Sequence, residues 1–454
     1  MPQKTSRYGL TESETRALCS RVLGLSKADH ARVQILSGWR GFTRTATNRV
    51  TTAGGSEDIS VQITSGFGKR LASLRTNSLD QAGLETAVRK SEDMARISPE
   101  NPEYMDELGP QQYDTVAGYY DSTGDLSPDA RASAMNYAIE QARLTDTVAA
   151  GYMDVRAGSM ALATTNDLFA YHSSTGVAST LTARTPEGKS SGWAGDQGSD
   201  WRNIENERIG IDAVRKCLEW RSSSALDPGK YTVVLEPTAV GMLMSRMLGA
   251  FDARRADEGR SFFSGTEVGE NRIGEHLFDS RVSLVSDPSS RDAETAPFSG
   301  EGLPARSEVW VDKGVLRNLN YSRFWAERSD TASKPRPSNL LMLGGSDSTS
   351  DMIRSIRRGV LITRFWYIRG LNPRTISYTG LTRDGTFLIE NGKVSRPVNN
   401  FRFNQSLAEL LQNVEMLGRS VQVCASENSS VSTPIVAPAL KVRDFNLSSV
   451  SDAI

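Results

Sequence analysis

Histidine is nearly missing from this sequence: 454 residues hold three, His30, His172 and His276, widely separated along the chain. That scarcity leaves no paired-imidazole metal motif. It also leaves a Ser-His-Asp triad, whose members meet only in the fold, with isolated bases that read better as surface or satisfied core residues. Cysteine is as scarce. Cys19, Cys217 and Cys424 are odd in number and form no C-x-x-C pair, so neither a disulfide framework nor a zinc knuckle is indicated. Charge of one sign is not in excess: 53 basic and 54 acidic residues give a net charge of −1. Without a clustered Lys/Arg surface nothing points to nucleic acid. Pairs such as Arg254-Arg255 and Arg357-Arg358 read as solvated helix faces or ends. Long apolar runs are absent too. The most apolar strand-like run, 359–368, is broken by Arg364 and is far shorter than the ~20 residues of a membrane helix. The polar start, residues 1–7, lacks the apolar stretch of a secretory signal. A soluble cytoplasmic protein without membrane or nucleic-acid partners is expected.

What is present is enough chain for two or three domains with a substantial core. Thr11-Glu12-Ser13-Glu14 is a capping-box pattern, and the spacing predicts a helix over 12–23. Short strands are predicted at 31–36, 42–46, 49–52 and 59–65. The last alternates cleanly, with Ile59, Val61 and Ile63 on one face. Residues 69–76 read as its hairpin partner, and Ser78 is expected to cap a helix over 79–96. A linker around 98–110 precedes an alanine-rich helix over 128–145. Strands at 149–156, 159–165, 168–174 and 177–184 then suggest an antiparallel meander with turns at Asn166-Asp167 and Thr175-Gly176. The Gly/Ser/Trp-rich stretch 188–200 reads as a loop, followed by a helix over 205–220. A buried strand, 231–235, leads to Pro237 and a helix over 238–253. Beyond it hairpins are expected at Asp312-Lys313-Gly314, Asp384-Gly385 and Asn391-Gly392, with helices over 350–358 and 406–417. The pattern argues α+β, divided as an N-terminal α/β domain (1–108), a central β-meander domain with helices (109–226) and a β-rich C-terminal domain (227–454).

Common catalytic strings fail. Gly188-Lys189-Ser190 has Ala183 where a phosphate loop needs its first glycine, and Gly66-Phe67-Gly68 has Leu71 where a dinucleotide fingerprint needs its third. No G-x-S-x-G nucleophile elbow occurs. The sequons at Asn404, Asn428 and Asn446 carry little meaning without a signal peptide.

Two stretches carry a family resemblance. Tyr378-Thr379-Gly380-Leu381-Thr382-Arg383-Asp384-Gly385-Thr386-Phe387-Leu388-Ile389-Glu390-Asn391-Gly392-Lys393 resembles a strand pair of the TldD/PmbA family. The segment from Val233 to Ala250 resembles the family's zinc-motif helix. Pro337-Ser338-Asn339-Leu340 and Pro438-Ala439-Leu440-Lys441-Val442 are similar to family positions as well. The resemblance runs in order from about residue 30 to the end. It implies a TldD/PmbA-like α+β fold and a cytoplasmic peptidase system of two related subunits. A TldD-like subunit carries His-Glu-x-x-x-His on its helix, with zinc on the two histidines and a C-terminal cysteine and with the glutamate as base. A PmbA/TldE-like subunit lacks these ligands.

On that resemblance the motif places here read Ser245, Arg246 and Ala250, with Gly249 matching the motif's glycine. Hydrolytic zinc needs three protein ligands, an open position for water and a carboxylate to accept its proton. Ser245 is a poor ligand, Ala250 offers no donor atom, and Arg246 puts a positive charge where the base belongs. A five-residue spacing sets side chains ~140° apart on an ideal helix, so the active motif needs a distortion that Gly249 permits. Cys424 falls near the family's cysteine ligand and reads either as a small buried strand residue or as a relic or reactive thiol. Glu236 has no flanking histidine. Three readings follow: a non-catalytic partner of a TldD-like paralogue in a heterodimer acting on unfolded peptide, with zinc only in the partner and no metal here; a stand-alone amide or peptide hydrolase with altered chemistry, acting through Cys424 or an unrecognised serine; or a peptide-binding module using strand addition.

Overall fold

The computed structural model describes residues 8–451, so the polar start read for a signal lies outside the described residues. The first half of the chain is one six-stranded sheet in the order β3-β2-β1-β4-β5-β6. Its strands are β1 (His30–Ala46), β2 (Arg49–Phe67), β3 (Arg70–Thr76), β4 (Val148–Thr164), β5 (Phe169–Arg184) and β6 (Ser191–Gly198). The short strands read from the sequence merge into long ones. Polar and glycine interruptions look like turns in one dimension, yet here they stay paired: β1 pairs β2 from His30↔Gly66 through to Ala46↔Arg49, with one irregularity at Arg44/Thr45. Thr175-Gly176, expected as a turn, lies inside β5, where Gly176 pairs with Arg156. The linker at 98–110 separates the first two sequence units, but β1 and β4 on either side of it are adjacent strands.

Helices cover this sheet in two groups. α1 (Glu12–Leu25) starts on the capping box at Thr11 and Glu14. With α2 (Gln81–Ile97) it buries Leu18, Val22, Leu84 and Val88 against Val33, Ile35, Val61 and Ile63. Asp80, and not Ser78, caps α2: its carboxylate accepts the Gly83 N–H at 2.8 Å, while Ser78 donates to Asp80 at 2.6 Å. A carboxylate is the stronger acceptor at the positive end of a helix. After the single turn α3 (Asp121–Gly124), α4 (Pro128–Leu144) begins at its cap Ser127 and packs with α5 (Asn206–Glu219) over β4 and β5.

The stretch expected to be a loop at 188–200 contains β6, the sheet's last strand. Its glycines were misleading because they serve packing: a Cβ on Gly192 would lie 2.2 Å from the Ala213 carbonyl oxygen and 2.3 Å from the Cys217 nitrogen. α5 rests directly on the strand backbone, a close approach that glycine allows.

The second half forms a nine-stranded sheet and a separate six-stranded one. At the centre of the larger sheet, β7 (Gly229–Leu235) runs parallel to the Arg358–Ile362 strand and antiparallel to Leu440–Ser451. Val233, Leu235, Val360, Ile362, Leu440 and Val442 are all buried in the main core. The expected hairpin at Asp384-Gly385 is instead a corner. The Ser377–Thr382 strand pairs with its neighbours Phe365–Asn372 and Asn400–Ser406, whereas Thr386–Glu390 pairs with Arg358–Ile362 and Lys393–Pro397. Asp384 takes a positive φ there and is nearly inaccessible. The hairpins at Lys313-Gly314 and Asn391-Gly392 form as read. Among the described residues no helix is long and apolar enough to cross a membrane.

Candidate functional site

The segment that follows β7 carries the residues singled out from sequence. Glu236 precedes Pro237 at the first position of α6 (Pro237–Met244), where proline's missing N–H costs nothing. Its carboxylate does not cap the helix and binds Lys216 of α5 at 2.6 Å. α6 is buried from Ala239 through Met244. Gly241 lets it lie against the Val421–Val423 strand, since a Cβ there would meet the Val423 side chain at 2.3 Å.

The helix stops far short of residue 253. Ser245 N–H still bonds the Gly241 carbonyl at 2.9 Å, but Arg246 N–H bonds Leu243 at 3.0 Å and Ala250 N–H bonds Met247 at 2.9 Å. Hydrogen bonding thus tightens from four residues back to three, the 3₁₀ pattern, and Met247–Gly249 is a 3₁₀ turn. A Cβ at Gly249 would make only an ordinary contact, 3.6 Å from Arg336 Nη2. Local packing therefore places no demand for glycine at that position, and the change of winding alone re-aims residues 245–250.

None of these side chains presents a metal donor. Ser245 Oγ donates to the Met242 carbonyl at 2.9 Å. Ala250 packs against the main core. Arg246 donates from Nη2 to Glu427 Oε1 at 3.0 Å, while its Nε is buried without a partner. Glu427 also accepts the Ile368 N–H at 2.9 Å and an Arg369 Nη1 contact at 3.3 Å. One half-buried carboxylate is thereby held by two guanidinium groups and a backbone donor. Tyr378 lies within electrostatic reach of Arg246 and Arg255, and burial pushes its phenol up.

Cys424 is fully buried among Ala178, Trp193 and Val431. Burial pushes its thiol up to about 11, so the thiolate needed for metal binding or nucleophilic attack is suppressed. The histidines are dispersed. His30 stacks on Tyr104 at 4.7 Å, His172 is buried in β5 with its pKa lowered to about 4 by desolvation, and His276 is exposed. Among the described residues no three His, Cys, Asp or Glu side chains gather as a metal-binding group. The donor set around α6 does not fit zinc.

Sequence reasoning missed the polar residues that surround this segment. Glu427 and Lys216 lie far from Arg246 and Glu236 along the chain and carry no motif. Asp384 had a signal, because it sits inside the quoted Arg383-Asp384-Gly385 string. It receives Arg364 Nη1 at 2.8 Å and Ser191 Oγ at 2.8 Å, joining the first sheet to the second. Arg364 also lies over the Trp193 ring at 4.2 Å.

Comparison with known proteins gives the scaffold its class. Residues 228–449 match the PmbA/TldA metallopeptidase C-terminal domain, so the half of the chain that holds α6 is metallopeptidase-related. A metalloprotease of Methanothermobacter thermautotrophicus is 25% identical over 259 residues, covering 52% of this chain and 54% of that protein. A metalloprotease TldD homolog of Haemophilus influenzae is 25% identical over 287 residues, covering 57% and 58%. The chain thus spans about half the length of the curated relatives it matches. The fold extends further: TldE from Thermococcus kodakarensis superposes with a TM-score of 0.83 at 18% identity, over 95% of this chain and 99% of that one. Residues 228–449 are thus similar to the C-terminal domain of PmbA/TldA metallopeptidases, and nearly all of the chain shares its fold with TldE.

Proposed function

We propose that this chain is a non-catalytic, PmbA/TldE-like subunit of a heterodimeric cytoplasmic peptidase that acts on unfolded peptides. A TldD-like paralogue supplies zinc, the general base and the hydrolytic water. The observation that carries this reading is the Arg246–Glu427 pair. On the family resemblance Arg246 stands at the place of the base, and here its guanidinium is fixed by a carboxylate. A cation held there opposes both a divalent metal and proton abstraction from a metal-bound water. Ser245 and Ala250 supply no ligand in compensation. The buried Cys424, with its thiol held protonated, weighs against the stand-alone cysteine hydrolase.

The test is co-expression with an HExxxH-bearing paralogue, followed by native mass, zinc content and peptide cleavage. A stable complex with zinc in the paralogue only, and cleavage by the complex only, is expected. Failure to associate with any such paralogue, or stoichiometric zinc and proteolysis in this chain by itself, overturns the reading.

A further inference from the structure

A cavity of about 550 Å³ opens at the N-terminal end of α4, within the first half of the chain and apart from α6. It is lined by Tyr8, by Trp39 of β1, by Gly54 and Gly55 of β2, by Ser127, which caps α4, and by Arg131 of α4. Arg131 is only 1% exposed. Among the described residues its hydrogen bonds go to neutral groups alone: Nε to Thr43 Oγ1 at 3.4 Å and Nη1 to the Leu126 carbonyl at 2.8 Å. Its guanidinium also lies 5.2 Å from the Trp39 ring. No described carboxylate pairs with it; the neutral phenol of Tyr8, which stacks on Trp39 at 4.9 Å, lies within its electrostatic reach.

A buried guanidinium without an anion is expensive, because desolvation of the charge goes uncompensated. Burial indeed holds its pKa below the ordinary value. Arginine's forked donors match the two oxygens of a carboxylate or the oxygens of a phosphate. The cavity is also reached by the N-terminal end of a 17-residue helix, whose dipole favours negative charge. Its volume is in the range of small-molecule sites. Glu57 and Asp125 also line the cavity, but both are exposed at its rim.

We propose that this cavity binds the oxyanion group of a small molecule, with Arg131 as the anchoring side chain. The site is independent of the α6 region and of the peptidase reading. The experiment is calorimetric titration of the full chain with sodium acetate, sodium benzoate and inorganic phosphate at matched ionic strength. The carboxylate and phosphate arms distinguish the two sources of the oxyanion. Two variants accompany it. Arg131→Met removes the charge at similar length. Ser127→Asp keeps an equally good helix cap but adds a negative charge at the cavity.

The expected result is saturable millimolar or tighter binding of at least one probe, weakened more than tenfold in Arg131→Met and severalfold in Ser127→Asp. Absence of saturable binding of all probes overturns the proposal. So does affinity that both variants leave unchanged. If Arg131→Met does not fold, the Ser127→Asp comparison decides.

Discussion

At the scale of single residues, environment overrides chemical type. Cys424 is the residue most easily taken for a nucleophile, and its surroundings make it inert. With the thiol pushed up to about 11 by burial, the thiolate at pH 8 is only about a thousandth of the population. Native protein treated with iodoacetamide at pH 8 is expected to keep Cys424 unmodified by mass spectrometry, with alkylation appearing only in denaturant. Rapid native labelling would contradict this. Asp384 presents the opposite case, a charged residue whose place in the core is secured by its partners. Replacing it with Ala strands the buried Arg364, and breaking a buried pair from one side costs about 3–5 kcal/mol. Urea denaturation of Asp384→Ala should show a loss of that order, far larger than for an exposed pair such as Arg215 with Glu219.

At the scale of elements, glycine carries two meanings that the sequence does not separate. In the sequence of 188–200 it suggests a loop; in β6 it marks contact with α5. Gly192→Ala forces the α5 backbone to move, because the added methyl would sit 2.2 Å from the Ala213 carbonyl oxygen. Overpacking of this kind costs about 1–3 kcal/mol, and a lowered denaturation midpoint with retained circular dichroism is expected. α1, α2 and α5 were legible because one-sided burial imposes a 3.6-residue period, and α4 was legible from its run of alanines, the best helix formers; all four fall close to their predicted spans. α6 lacks that period, being buried on all sides, so its early end at Met244 left no mark in the pattern. Asp384-Gly385 looked like a hairpin because local turn chemistry is the same whether or not the flanking strands pair with each other.

At the scale of the whole molecule, the two halves meet along β6 and the segment after the Val421–Val423 strand. Ser432 Oγ bonds Gln197 at 3.0 Å, and the Val431 N–H bonds Asp154 at 3.0 Å. Asp154 is fully buried and also holds Arg40 and Arg156. In the same seam Asp196 has its carboxyl pushed up to about 6, first by desolvation and further by Glu205, against the Gln197 N–H that opposes the shift. The native state therefore holds this proton more tightly than the unfolded chain. Stability is expected to fall as pH rises from about 4 to about 6 and to stay lower above that range. The effect is on the order of 3 kcal/mol. Asp196→Asn should abolish this component and be more stable than the parent protein at pH 8. Parallel pH profiles of the two proteins would refute the assignment.

By itself the sequence determined the α+β class, the helices with one buried face, and the tight hairpins at Lys313-Gly314 and Asn391-Gly392. These depend on neighbours within a few residues, where steric preference and side-chain periodicity act directly. Only the tertiary structure decided that the first two sequence units share one sheet, that Arg246 meets Glu427, and that Arg131 lies buried without an acid. Each joins residues dozens to hundreds of positions apart, and their pairing is set by strand register and by the desolvation that packing imposes.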